Sequence, residues 1–137
     1  MPDPNFEGTL GERLCQEIIA LDGSIIFVSI GSLSGLELAS ARKPSAALLV
    51  GDDPKLRSRY SSLAAGVIIA FKQGENVLGA VNRIVTTFEN FKLIVIPYFV
   101  KEAFVVVLTT RDSESNKIAF QVSKQVERFA RALFSHL

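Results

Sequence analysis

The sequence predicts an α+β fold in a single domain, with five antiparallel strands covered by helices on both faces of the sheet. Three observations lead to this prediction. Apolar residues recur at helical spacing in three segments. Five shorter segments are rich in β-branched and apolar residues, and most of them are joined by short turns, which favours antiparallel pairing. The chain has 137 residues, 48% of them hydrophobic, which is enough for one core.

The first predicted helix spans residues 10–22, because Thr9 and Glu12 have the spacing of a capping box. Apolar residues follow at helical spacing, and they are Leu10, Leu14, Ile18 and Leu21. Residues 1–8 are expected to be flexible. Segments 24–30 and 36–42 are predicted to form a hairpin around the glycine-bounded turn 31–35.

The middle helix is predicted to span residues 54–72. Asp53 suits the N-cap position and Pro54 the first helical position. Its apolar stripe comprises Leu56, Tyr60, Leu63, Val67 and Phe71. Its second half is apolar nearly all round, which indicates cover on more than one side. The preceding residues 46–50 are compatible with a short strand or with an apolar loop segment, and the pattern does not decide between them.

Three more strands and a last helix complete the order α-β-β-α-β-β-β-α. The strands are predicted at 80–89, 91–96 and 103–110, after a loop or frayed helix end at 73–79, with a turn at Asn90 and weakened pairing at Pro97. Residues 103–108 are all apolar, so this strand is expected to be covered on both faces, with Val106 in the core. The last helix is predicted at 115–135. The first and last helices are expected on one face of the sheet and the middle helix on the other.

The last helix is predicted to be amphipathic. Its buried stripe comprises Ala119, Val122, Val126, Phe129, Ala130 and Leu133. Its opposite face comprises Lys117, Gln121, Lys124, Arg128 and Arg131. No aromatic residue is expected among these cations, so they are interpreted as a solvated face rather than a nucleic-acid site.

Catalytic, metal and cofactor sites are not predicted. The chain has one cysteine, Cys15, interpreted as a core residue, and one histidine, His136, near the C-terminus. The acidic pair Asp52 and Asp53 is interpreted as a helix cap rather than a cation site. The net charge of +1 provides no overall attraction for nucleic acid.

Membrane spans and secretion signals are not predicted either. No apolar run approaches the ~20 residues of a membrane span. The N-terminal residues lack the basic and apolar regions of a signal peptide, and a single cysteine allows no internal disulfide. A cytoplasmic protein is therefore expected.

The element order and two stretches of sequence resemble the roadblock/dynein-light-chain family, which is related to the profilin and longin folds. The first stretch is 14–28, LCQEIIALDGSIIFV, and the second is 88–110, from the turn at Asn90 through the last strand. Both are similar to small archaeal proteins of unknown function with this fold. The resemblance implies a dimer that binds small GTPases or serves as an assembly scaffold. The long 43–53 connection and the extended last helix depart from the family pattern.

The resemblance also implies where two copies would meet. Family members join helix to helix and edge strand to edge strand, which maps here to the middle helix and the strand after it. The predicted interface residues are Leu63, Ala64, Val67, Ile68, Ile69, Phe71, Ile84, Thr86 and Phe88. The expected function is a non-catalytic homodimeric binding module, with a small GTPase as a possible partner. The alternative is a monomeric profilin-type module that binds a peptide or small molecule.

Overall fold

The structure is a computed structural model that describes residues 6–34, 36–44, 54–98 and 103–134. Its N-terminal half contains α1 (Phe6–Ile19), β1 (Ile25–Ser32), β2 (Glu37–Arg42) and α2 (Pro54–Lys72). The remainder contains α3 (Glu75–Leu78), β3 (Ile84–Thr87), β4 (Phe91–Tyr98), β5 (Ala103–Thr110) and α4 (Ser115–Phe134).

The strands form one five-stranded sheet in the order β2-β1-β5-β4-β3, and every neighbouring pair is antiparallel. The predicted α+β class and antiparallel sheet are therefore confirmed. β5 lies at the centre, and its apolar residues 103–108 are buried, as their unbroken run predicts, together with the polar Thr109.

Two apolar clusters, one on each face of the sheet, hold the helices in place. On one face, residues of α1 and α4 such as Ile18 and Val122 pack against alternate strand residues such as Val107. On the other face, Ala64, Ala65 and Ile68 of α2 pack against the intervening residues of the strands, such as Val106. The predicted distribution of helices is confirmed. Val106 is fully buried, whereas Leu21, also predicted in the core, is partly buried at the margin of the first cluster.

The predicted limits of the first helix are wrong. α1 begins at Phe6, so Thr9 lies inside the helix and is not its cap, and residues 6–8 are helical. α1 packs closely on β2, since a Cβ added at Gly11 would lie 3.1 Å from the Cβ of Ala39. It ends at Ile19 because a turn replaces it, in which the Asp22 carboxylate accepts hydrogen bonds from the backbone N–H and hydroxyl of Ser24 (2.9 and 2.8 Å).

Three boundaries in the centre of the chain also differ. The segment 73–79, predicted as a loop or frayed helix end, contains the one-turn helix α3, bracketed by Gly74 and Gly79, and Gly79 has a φ of 85° that favours glycine. The strand predicted at 80–89 contracts to β3. The next strand continues through Pro97 to Tyr98. β3 pairs only with residues 92–95, so beyond them β4 has a strand on one side only, which is β5. Because Pro97 lies in this edge segment, its missing backbone N–H has little effect on the pairing of the sheet.

α2 has the predicted bounds, but a different face of it is buried. The side chains on the sheet are Ser61, Ala64, Ala65 and Ile68. Leu63 and Phe71, which belong to the predicted stripe, are exposed. Small residues bring the helix closest to the sheet, and periodicity could not show this on a helix that is apolar nearly all round. Residues 46–50, Asp52, Asp53, Ser135 and His136 lie outside the described residues, and so does the side chain of Leu133.

Candidate binding surface

The outward face of α2 is the first component of a candidate binding surface. Leu63, Ile69 and Phe71 are each about half exposed, at 51%, 49% and 53%, and Val67 is partly buried. Between them lie small residues, among them Gly66, where an added Cβ would meet nothing within 4 Å. Ala64 and Ile68, also predicted in the interface, are buried against the sheet, so their side chains are not part of this surface.

The edge strand β3 is the second component. In the described part of the chain, β3 pairs with β4 and with no strand on its other side. Its register places Ile84 opposite Val95 and Thr86 opposite Leu93. Val95 and Leu93 belong to the cluster beneath α2, so Ile84 and Thr86 face the side of the sheet that carries α2.

Phe88 follows β3 by one residue, and alternation places it on the same side as Ile84 and Thr86. Its backbone N–H donates to the Phe91 carbonyl (2.8 Å), which forms the turn predicted at Asn90, and its ring is 47% exposed. Among the described residues, the main contacts of α2 are with β1, β5 and β2 rather than with β3. We call the exposed residues Leu63, Ile69, Phe71, Thr86 and Phe88, with the partly buried Val67 and Ile84, the α2–β3 surface.

α3 adds two apolar side chains that the sequence analysis missed. Val77 and Leu78 are each 87% exposed, and α3 has no buried residue. The helix lies between α2 and β3 in the chain. A signal was present in the sequence, since two apolar residues stand together in a segment bounded by Gly74 and Gly79.

Cys15 lies in the core, as predicted. It is a residue of α1, and its side chain is fully buried in the cluster that α1 and α4 form with the sheet. The pKa of its thiol is raised to about 12, mainly by burial and also by the nearby carboxylates of Glu37 and Glu12, against a smaller opposing effect of a backbone hydrogen bond with Ile30. Because nucleophilic attack requires the thiolate, this environment opposes thiol chemistry at neutral pH.

Cys15 is therefore expected to resist thiol reagents in the folded protein. At pH 8, labelling with a chromogenic disulfide reagent should be slower in buffer than in denaturant by at least about 1,000-fold, since burial and the raised pKa both oppose attack. The stopped-flow absorbance trace measures both rates. Labelling of the folded chain at the denatured rate would contradict the core position. A Cys15→Ala, His136→Ala variant should retain any binding activity.

A polar hollow of about 450 Å³ lies at one end of the sheet, where the turns before β1 and after β5 meet. Asp22, Asp112, Glu114 and Lys117 line it. The pKa of Asp22 is lowered, mainly by the hydrogen bond from the backbone N–H of Ser24 and also by the bond from its hydroxyl. This carboxylate therefore stabilises the turn at residues 22–24. Within the described ranges, no group of three or more His, Cys, Asp or Glu side chains is placed to hold a metal ion.

Comparison with solved structures identifies the fold. A roadblock/LC7 domain from Streptomyces avermitilis superposes with a TM-score of 0.73 at 16% identity, covering 90% of this chain and 97% of that one. MglB from Myxococcus xanthus gives a TM-score of 0.77 at 13% identity, covering 100% and 97%. An MglB described as having a tetrameric arrangement gives 0.75 at 18% identity, covering 100% and 96%. The chain has the roadblock/LC7 fold.

The roadblock/LC7 fold confirms the architecture that the resemblance implied. No protein-family model and no curated protein matches the sequence, so the likeness lies in the structure. The similarity to archaeal proteins and the interface carried over from the family remain predictions. None of the helices in the described ranges is long and apolar enough to cross a membrane.

Proposed function

We propose that this chain is a non-catalytic binding module that forms a homodimer through the α2–β3 surface and presents the dimer to a small GTPase. The observation that carries the proposal is that the exposed apolar side chains of α2 lie on the same side of the sheet as Ile84 and Thr86 of β3, which is an edge strand within the described residues. A two-fold axis beside β3 would pair the two edge strands and bring the two α2 helices together in a single interface.

Each component of this interface removes a feature that folded chains seldom leave exposed. Pairing of β3 with its symmetry mate satisfies the backbone groups at the sheet edge. Contact between helices would cover exposed apolar side chains of α2, with Leu63 and Phe71 on one flank of its outward face and Ile69 on the other. Gly66 lets the two backbones approach closely, because its position is open and carries no side chain.

The GTPase partner is proposed from the fold and from the resemblance to the roadblock family. A dimer of this kind would offer a sheet twice as wide with a pair of helices on one face, which is a broad surface for a folded partner. The absence of a proposed catalytic role follows from Cys15 being buried, since it is the best nucleophile in the chain.

The oligomeric state is the first test. The chain has a mass of 14.9 kDa, so light scattering during size exclusion should give about twice that mass at micromolar concentration. A monomer mass across that range would exclude the homodimer. The second test is a titration of the dimer with a small GTPase from the same organism, loaded with GDP or with a non-hydrolysable GTP analogue. A regulator should distinguish the two forms, and binding of neither would exclude the GTPase role.

The alternative, a ligand-binding module, is favoured by one further observation. A groove of about 620 Å³ runs between α4, the end of β4 and residues 80–82, and its lining includes Val81, Ile96 and Val126. Its volume is in the range of small-molecule sites. A thermal-shift screen of metabolites and peptides tests this alternative. Stabilisation of a monomer by one compound, abolished by Val126→Trp, would support it.

A further inference from the structure

The outward face of α4 carries a cluster of cations beside an exposed aromatic ring. Lys117, Lys124, Arg128 and Arg131 follow the spacing i, i+7, i+11, i+14 and are all exposed. At 3.6 residues per turn these positions fall within about 60° of each other and extend over about 21 Å. The opposite face of α4 is in the core, where Ile118, Ala119 and Val122 are buried, so the helix cannot rotate to hide the charges.

Phe120 lies at the margin of this cluster, beside Lys124, which corrects the expectation that no aromatic residue stands among the cations. Its ring is 58% exposed, and the Lys124 Nζ lies 4.5 Å from its centroid. Gln121, expected on the same face, is partly buried instead. We call Lys117, Phe120, Lys124, Arg128 and Arg131 the basic face of α4.

Two of the four cations have acidic neighbours: Lys117 lines the polar hollow with Asp22, Asp112 and Glu114, and Arg131 lines the groove beside α4 with Glu127. In the described part of the chain, no salt bridge joins any of the four cations to an acidic side chain. Glu114 precedes the helix, and Glu127 lies toward the groove beside α4, at its margin. Lys124 and Arg128 line neither of these two hollows, so they are the cations of this face that are open to an external anion.

We propose that the basic face of α4 binds the surface of a membrane that contains anionic lipids. The cations lie along a convex helix, so they can meet a flat layer of headgroups together, and Phe120 can enter the boundary between headgroups and acyl chains. A single ring on a convex face provides neither the groove nor the repeated stacking platform that single-stranded nucleic acid requires. The same convexity leaves no cleft for an acidic peptide.

The fold separates this face from the α2–β3 surface. α4 and α2 lie on opposite sides of the sheet. Membrane contact therefore does not require the proposed dimer. If that dimer forms with its two-fold axis perpendicular to the sheet, the basic faces of both copies point the same way, and avidity raises the affinity without new contacts.

Sedimentation with vesicles tests the proposal. The full chain should co-sediment with phosphatidylcholine vesicles that contain ~30% phosphatidylserine and not with pure phosphatidylcholine. Binding should be strong at about 50 mM salt and largely lost at about 300 mM, because screening shortens the reach of the charges. Failure to bind the anionic vesicles at the lower salt concentration, or equal binding to both vesicle types, would overturn the proposal.

Matched variants assign the binding to this face. Lys124→Gln, Arg128→Gln should weaken binding about 25-fold, taking about fivefold for each cation. Phe120→Ser should weaken it several-fold and leave its salt dependence unchanged. The control Arg13→Gln, Arg83→Gln removes the same charge from exposed sites elsewhere and should bind like the wild type. Equal losses in the two double variants would overturn the proposal, as would tighter binding of single-stranded DNA than of vesicles.

Light scattering on the same samples measures the oligomeric state, so that failure of the membrane proposal can be told apart from failure of the proposed dimer. If the chain is monomeric and still binds anionic vesicles through α4, the membrane proposal stands and the dimer fails. If the chain is dimeric and binds no vesicles, the membrane proposal fails and the dimer stands.

Discussion

An Ile69→Glu variant is expected to be monomeric at concentrations where the wild-type chain is a dimer. Ile69 is 49% exposed on the outward face of α2, so the free chain accommodates the carboxylate in water and unfolds with nearly unchanged free energy. In the proposed interface the same carboxylate would be buried beside apolar side chains of the partner without a cation. An uncompensated buried charge costs about 3–5 kcal/mol, which raises the dissociation constant of the dimer by more than about 100-fold.

Leu36→Glu is the matched control for Ile69→Glu. It makes the same kind of change at a residue that is 65% exposed, beside β2 at the opposite edge of the sheet. Light scattering over a concentration series measures both dissociation constants, and circular dichroism confirms that both variants are folded. If Leu36→Glu separates the copies and Ile69→Glu does not, the dimer uses the other edge of the sheet, and the α2–β3 surface is not its interface.

Gly31→Ala is expected to destabilise the fold by about 1–3 kcal/mol, an unusual loss for the addition of one methyl group. Gly31 lies in β1 opposite Phe104 of β5. An added Cβ would lie 2.7 and 2.8 Å from two atoms of the Phe104 ring and 3.1 Å from the Oγ of Ser61 on α2. Phe104 and Ser61 are fully buried, so neither side chain can move away without disturbing the packing of α2 on the sheet.

Gly23→Ala is the control for the backbone contribution, since an added Cβ there meets nothing within 4 Å. Its stability should stay within about 0.5 kcal/mol of the wild type. Urea unfolding at one protein concentration measures both variants. Phe104→Leu provides a further check, because it removes the part of the ring that the new methyl group would meet. Gly31→Ala should then cost less in the Phe104→Leu background than in the wild type. Equal costs would show that the ring is not the obstacle.

The sequence predicted the bounds of β5 and α2 most accurately. The unbroken apolar run of β5 predicted both its bounds and its central place, because a strand covered on both faces needs no polar residue. The proline at the start of α2 and the length of its apolar pattern predicted its bounds in the same way. The start of α1 was misplaced because local capping chemistry was weighed above the contact of its first turns with β2, which lies 26 or more residues further along the chain.

The interface on α2 and the strand after it came from the resemblance to the roadblock family and remains a prediction. The sequence by itself indicated excess apolar surface on α2. It could not separate Ile69, which is exposed, from Ile68, which is buried beside it, because both belong to the same apolar belt. The basic face of α4 shows the reverse case: its cations were identified, but Phe120 was not placed among them.

The sequence by itself determined the order of the main helices and strands, though not the one-turn helix α3, and the presence of excess apolar surface on α2, since periodicity and composition are local properties of the chain. The tertiary structure alone decided which side of α2 meets the sheet, that β3 is an edge strand, and that Ile84 and Thr86 face the same side as α2. These depend on strand order and register. A shift of one residue in register would move every β3 side chain to the other face, and residues distant in sequence select among the registers through their packing.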